Sequence, residues 1–346
     1  MPQRLQTRTE AETAAAVALA AQRLAAGELV AFPTETVYGL GARADDADAV
    51  VKIFAAKGRP SDHPLIVHVA DAASALAFAA ELPPVARRLM DAFWPGPLSL
   101  VVPRRADVAA AAAGGQSSVG LRCPAHPVAQ ALLRAAAAAG VPGVAAPSAN
   151  RFGRVSPTRA AHVIDEFADL ADLPVLDGGD CELGIESAIV DCTRGYPVLL
   201  RPGCLGAAQI EAAAGEPLRS RDEQAPRASG TLEAHYAPRA KVRLMDRQQI
   251  QTALQVLHGS LPAGKAARAA APGLTLAVYS RGPRPASQPG VLWRTMPADA
   301  GAAAHELFGV LRELDDALVQ LIWVEQPPSE PAWDGVRDRL QRASAA

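Results

Sequence analysis

Short apolar runs alternate with stretches of helical periodicity along the first 212 residues, and this alternation restricts the fold more than any other feature of the chain. Apolar runs at 28–32, 65–69, 97–102, 117–122, 144–146, 175–176, 188–190 and 198–201 read as strands. Between them, 10–26 (stopped by Gly27), 47–56, 72–81, 84–93 and 127–139 carry helical spacing. That order predicts an α/β or α+β domain over 1–212. Residues 213–240, with Gly215, Pro217, Pro226, Gly230 and Pro238 and almost no apolar periodicity, read as a linker. Over 241–346 a second alternation appears, with strands at 241–245, 274–279, 291–295 and 317–324 and helices at 248–257, 302–314 and 333–344. It is expected to form a small, Rossmann-like doubly wound domain, which by itself carries no function.

Charge excludes several function classes. The formal net charge is −2 over 346 residues; residues 1–212 hold 18 Lys+Arg against 22 Asp+Glu and the remainder 16 against 14, so neither part is a basic arm. A polyanionic partner must therefore be held by a local patch. The four cysteines form no C-x-x-C pair and no zinc-finger spacing with histidine, so no metal ligands are assigned. A reduced, cytoplasmic chain fits this usage best. The alanine-rich stretch 14–21 lacks a basic flank, since Glu10 and Glu12 stand there, which argues against a signal peptide. No run is long and apolar enough to span a membrane.

Single motifs stay ambiguous. There is no G-x-x-x-x-G-K-[ST] loop, and the nearest candidate, Gly264-Lys265, is followed by alanine. Pro33 to Gly41 packs Thr34, Glu35, Thr36 and Tyr38 into a glycine-ended turn after a strand. Lys57-Gly58-Arg59-Pro60 puts two cations at a helix end, where a dipole role is the ordinary alternative. Strand alternation places His68 opposite the face of Leu65, Val67 and Val69, in solvent or in a pocket. In Ser118-Val119-Gly120-Leu121-Arg122 the same period aligns Ser118, Gly120 and Arg122, with bare glycine admitting a ligand and the arginine fork suited to carboxylate or phosphate. Ser156-Pro157 reads as N-cap and N1 of a helix over 158–167.

Together, P-T-E-T-V-Y-G-L-G, K-G-R-P, H-P-L-I-V-H-V, W-P-G-P-L-S-L, S-V-G-L-R-C-P, A-P-S-A-N, E-S-A-I-V-D, R-P-G and the linker's His235-Tyr236-Ala237-Pro238 resemble the YrdC-type threonylcarbamoyl-AMP synthases, in the long form with an extra C-terminal domain. The resemblance implies a twisted α/β fold with a mixed sheet and one concave substrate face. It also implies synthesis of threonylcarbamoyl-AMP and pyrophosphate from L-threonine, bicarbonate (or CO2) and ATP, the first step in modifying the adenosine beside the tRNA anticodon. Carried over by position, Thr36, His68, Arg122 and Ser187 contact threonine. Arg59, His63, Ser118, Ser148, Ser156, Arg201 and Tyr236 contact ATP, and Lys57, Arg59 and Asn150 lie at the reacting phosphates. His63 stands where asparagine is usual, and Ala188 where threonine is. Mg²⁺ is expected with ATP, held largely by phosphate and water. The product would pass to the tRNA threonylcarbamoyl transferase machinery, with at most weak contact to tRNA itself and none to membranes.

The chemistry agrees with a site rich in Lys, Arg, Ser and Asn and without a catalytic triad, because carbamate attack on the α-phosphorus needs positioning and charge neutralisation more than a strong base. Two other classes are weighed. A nucleic-acid-binding module is disfavoured by the net −4 of residues 1–212 and the few aromatics. A maturation carbamoyltransferase with a YrdC-like domain would need zinc fingers and an acylphosphatase unit that this sequence does not contain.

Overall fold

The computed structural model describes residues 1–260, 276–284 and 291–346. The chain divides into two compact units, one of Met1–Phe152 with Ser156–Leu232, the other of Gly153–Val155 with Glu233–Ala346. The stretch 213–240 is thus shared between them at Leu232.

In the first unit the strands are β1 (Gln3–Gln6), β2 (Val30–Phe32), β3 (Gly39–Arg43), β4 (Ile66–His68), β5 (Leu98–Pro103), β6 (Ser118–Arg122), β7 (Val144–Ala145), β8 (Pro174–Asp177), β9 (Ala188–Asp191), β10 (Val198–Arg201) and β11 (Arg219–Ser220). They form one mixed sheet in the order β1-β8-β2-β3-β7-β4-β6-β5-β9-β10-β11. The helices are α1 (Glu10–Ala25), α2 (Ala47–Lys57), α3 (Pro84–Phe93), α4 (Pro127–Ala138), α5 (Ala160–Glu166) and α6 (Ala207–Ala214). α1 starts at a reciprocal capping box between Thr9 and Glu12, and its Ala20 and Leu24 pack with Ala129, Leu132 and Leu133 of α4. Ile53 of α2 and Val85 and Leu89 of α3 join Leu65, Val67, Leu98, Leu100 and Leu121 in a second core. α2 begins at the Asp46 cap and ends at Gly58, whose φ of 63° is left-handed. This stop sets Lys57 in the last helical turn and Arg59 just beyond it.

Two local expectations are corrected. The helix expected over 72–81 is only a single 3-10 turn, Ser74–Ala77. The backbone of the following residues pairs instead with the end of β5, Ala80 N–H donating to Pro103 O and Arg105 N–H to Phe78 O, both 2.8 Å. Ser156 does not cap a helix: α5 starts at Ala160 after Arg159, and the Ser156 hydroxyl donates to Glu186.

The second unit holds β12 (Lys241–Met245), α7 (Arg247–Ser260), β13 (Leu276–Ser280), β14 (Val291–Thr295), α8 (Ala300–Asp316), β15 (Leu321–Glu325) and α9 (Asp334–Ser344). Its sheet is parallel throughout, ordered β12-β15-β13-β14. Ile250 and Leu254 of α7 pack on Leu276, Val278 and Trp323. The strand expected from 274 begins outside the described residues, as does Gly264-Lys265. Among the described residues no helix is long and apolar enough to cross a membrane.

Candidate functional site

Sheet register gathers the polar side chains of the first unit into one row. β4 and β6 run parallel with His68 beside Arg122, β5 and β9 pair Ser99 with Ile189, and β9 and β10 pair Ile189 with Arg201. Ser187 immediately precedes β9. Its hydroxyl lies 2.8 Å from that of Ser99, where either oxygen can donate. Gly203 lets the chain after β10 fold back here, since a Cβ on it would lie 2.4 Å from the Ala188 nitrogen.

The turn between β2 and β3 closes one end of this row. Thr34 Oγ1 donates to Val37 O (2.6 Å), accepts from the amides of Thr36 and Val37 (3.2 Å each), and lies 2.8 Å from Thr36 Oγ1. Glu35 is buried and ion-paired with Arg122, Oε1 to Nη2 at 2.8 Å. The approach is off the N–H axis, so it is a charge pair rather than a hydrogen bond for those two atoms. Glu35 Oε2 accepts from Ala125 N–H, and Arg122 Nε donates to Gly96 O at 3.4 Å.

Burial holds the His68 imidazole neutral, with the Arg122 charge adding to the effect, and pulls its pKa down to about 3. Among the described residues its Nδ1 has no hydrogen-bond partner. The unfolded ring titrates near its ordinary 6.5, so between that pH and about 3 the unfolded chain binds a proton that the folded one refuses, and stability falls as pH drops through this window. At pH 5 the loss is about 2 kcal/mol. In urea unfolding at pH 7 and pH 5, His68→Gln should lose less stability on acidification than the parent by that amount; equal losses would contradict a buried neutral His68.

The other end of the row is cationic. Arg201 donates to Ser187 O through Nε (3.1 Å) and Nη2 (2.9 Å), and through Nη1 to Ser229 O (3.0 Å). Arg59 Nη2 donates to Pro64 O (3.0 Å) and to Ser229 Oγ (3.4 Å), so Ser229 touches both guanidinium groups. Residues before it dock through Arg227, which pairs with Asp62 and, through its amide, with Gln116. Lys57 Nζ donates to the carbonyls of Ser148 (2.6 Å) and Asn150. Burial, reinforced by the Arg59 charge, holds the Lys57 ammonium well below the ordinary lysine pKa. Four basic side chains, Lys57, Arg59, Arg122 and Arg201, are buried in this unit along with the carboxylates of Glu35 and Glu186, and the unit's net charge is negative all the same.

Of the residues singled out in the sequence, Thr36, Lys57, Arg59, His68, Arg122, Asn150, Ser156, Ser187 and Arg201 are buried in this region, and Ser148 is half-buried beside Lys57. Ser118 starts β6 opposite Pro103. His63 is half-buried, its ring edge-on to Phe152 at 5.4 Å. Tyr236 belongs to the second unit, buried with its ring stacked on His235 at 4.2 Å and the Arg339 guanidinium 5.3 Å from its centroid. Sequence reasoning assigned no role to Thr34, Glu35, Ser99, Glu186 or Ser229. The first four lie inside recognised motifs, and Ser229 carried no signal beyond its place in a polar stretch.

Both parts of the chain resemble known proteins. A family model covering Sua5, YciO and YrdC, described as telomere recombination, matches residues 22–203. A second, described as threonylcarbamoyl-AMP synthase, C-terminal domain, matches 205–345. Threonylcarbamoyl-AMP synthases of Pyrococcus abyssi and Bacillus subtilis are 37% and 38% identical, each over 95% of this chain and over 94% and 92% of their own. The crystal structure of P. abyssi Sua5 complexed with L-threonine matches with a TM-score of 0.85 at 34% identity, covering 99% of this chain and 97% of that one. With both parts matched and the curated relatives aligned almost end to end, the chain belongs to the threonylcarbamoyl-AMP synthase family.

Proposed function

We infer that the first unit joins L-threonine, bicarbonate or CO2, and ATP into threonylcarbamoyl-AMP, releasing pyrophosphate. The observation that carries this reading is that the polar side chains of Thr36, His68, Arg122 and Ser187 and the basic ones of Lys57, Arg59 and Arg201 are all buried in the first unit, with His68 beside Arg122 in the sheet and Arg201 bonded to Ser187. Arg122 takes the threonine carboxylate, and Ser187 its hydroxyl. The neutral amine adds to the carbon of CO2 and its nitrogen releases one proton to water, leaving a carbamate; a carbamate oxygen attacks the α-phosphorus in line, and the bond to pyrophosphate breaks. Lys57, Arg59 and Arg201 neutralise the phosphates, while Ser118, Ser148, Asn150 and Ser156 offer neutral hydrogen bonds. Arg59 and Arg201 must share or exchange their Ser229 bonds when ATP enters. His63, carried by the resemblance alone, would complete the nucleotide contacts within the first unit.

Mg²⁺ would accompany ATP. The hydroxyl, amide and carboxylate oxygens of Ser156, Asn150 and Glu186 suit that hard cation, and no group of three His, Cys, Asp or Glu that could hold a metal stands among the described residues. When bound it would balance phosphate charge. The product is a labile mixed anhydride, so a tRNA threonylcarbamoyl transferase system in the same compartment, the cytoplasm, would consume it.

The test is pyrophosphate release from ATP with threonine and bicarbonate each omitted in turn. Release should require both and should fall at least tenfold with serine or valine, since a lost methyl or hydroxyl contact costs about 1–3 kcal/mol or more. Equal turnover with all three amino acids would refute the reading.

A further inference from the structure

A hydroxyl group has one proton, and the turn between β2 and β3 specifies where two of those protons go. Thr34 Oγ1 lies 2.6 Å from the carbonyl of Val37, which can only accept, so the Thr34 proton is committed there. Towards its other neighbours Thr34 Oγ1 is an acceptor, its two lone pairs shared among the amides of Thr36 and Val37, at 3.2 Å each, and the Thr36 hydroxyl. The 2.8 Å contact with Thr36 Oγ1 then has a single polarity, with Thr36 donating and Thr34 accepting. Thr36 spends its proton inside the turn and keeps only lone pairs for a ligand. Both side chains are buried, so water does not scramble the arrangement.

Building on the assignment of Thr36 to the threonine subsite, we propose that Thr34 is a positioning residue that makes Thr36 an obligate acceptor, which selects the amino acid by its α-ammonium group. An ammonium carries donors only, whereas a carboxylate carries none. Thr36 follows Glu35, whose carboxylate is ion-paired with Arg122. A carboxylate on Arg122 therefore brings the amine, one carbon away, to the acceptor, and leaves the hydroxyl, one carbon further, for Ser187. Arg122 and Glu35 are paired, burial keeps His68 neutral, and burial pushes the Tyr38 phenol and the Cys181 thiol up.

Calorimetric binding of L-threonine at pH 7 and about pH 10, on either side of the amine's titration, tests the proposal. The parent should bind more weakly at the higher pH, where the amine loses its charge and one of its three donors and its remaining N–H groups donate less strongly. In Thr34→Val the Thr36 proton is released to face the ligand. Affinity at pH 7 should fall about tenfold, the value of one hydrogen bond to a charged group, and should no longer decline at the higher pH. Thr34→Ser restores the hydroxyl and should behave like the parent. Parent-like binding by Thr34→Val, an equal loss at both pH values, or a folded Thr34→Ser as weak as the valine variant would overturn the proposal. Unchanged threonine binding by Thr36→Val would instead overturn the placement of Thr36 in the subsite.

Discussion

Replacing Arg122 by alanine raises the threonine concentration needed for pyrophosphate release by about a hundredfold or more, with ATP affinity within about twofold of the parent. The magnitude follows from truncating one side of a desolvated charge contact, which costs about 2–5 kcal/mol. Arg59→Ala should show the reverse profile, because Arg59 bonds Pro64 and Ser229, within the cationic cluster assigned to ATP. Arg122→Ala also leaves the Glu35 carboxylate buried without its cation, a loss of about 3–5 kcal/mol of stability that could mimic a binding defect. The double variant Arg122→Met/Glu35→Gln separates the two effects. Removing both charges should restore much of the stability, while threonine recognition stays lost. Recovery of threonine affinity together with stability would show that Arg122 is a structural ion-pair partner, and identical substrate profiles for Arg122→Ala and Arg59→Ala would refute separate subsites.

The pieces of this site were readable as types and unreadable as neighbours. Strands such as β5, β6 and β10 announce themselves because their apolar residues are buried. β3 hides because it is built from Gly39-Leu40-Gly41, a composition that reads as a turn. A Cβ at Gly41 would lie 2.7 Å from a Val144 methyl and 2.9 Å from the Phe32 ring, so the glycine reflects crowding across the sheet rather than chain reversal. β1 is polar Gln-Arg-Leu-Gln, a half-exposed edge strand held by pairing with β8, a partner far along the chain. The same distance in sequence separates the functional groups. Arg122 was legible as an anion fork from its strand position, but its Glu35 partner comes from a turn near the start of the chain. The misread Ser156-Pro157 shows the limit of local rules: the dipeptide fits a helix start, yet the serine hydroxyl is engaged by Glu186, thirty residues on, and the helix begins later.

Lys57→Met should abolish most turnover, lowering kcat by about 10²–10³-fold, the usual effect of removing a preorganised charge from a reacting centre. Its geometry also sets a pH signature. Two of the Nζ hydrogens are committed to the carbonyls of Ser148 and Asn150. A neutral amine has no other proton to give, whereas the ammonium has a third, which is available to a phosphate oxygen. Burial and the Arg59 charge hold the free ammonium well below the ordinary lysine pKa, so as pH rises through that lowered value the third donor disappears. ATP affinity should therefore decline on the alkaline side before an ordinary lysine would titrate. ATP itself opposes the loss, since its phosphate charge favours the protonated amine, and ATP binding should be accompanied by proton uptake in buffers near the lowered pKa. Isothermal titration in two buffers of different ionisation enthalpy reads that uptake directly. The parent should take up a fraction of a proton per ATP and Lys57→Met should not. Equal uptake in both proteins, or a Lys57→Met variant with parental kcat, would remove Lys57 from the phosphate site.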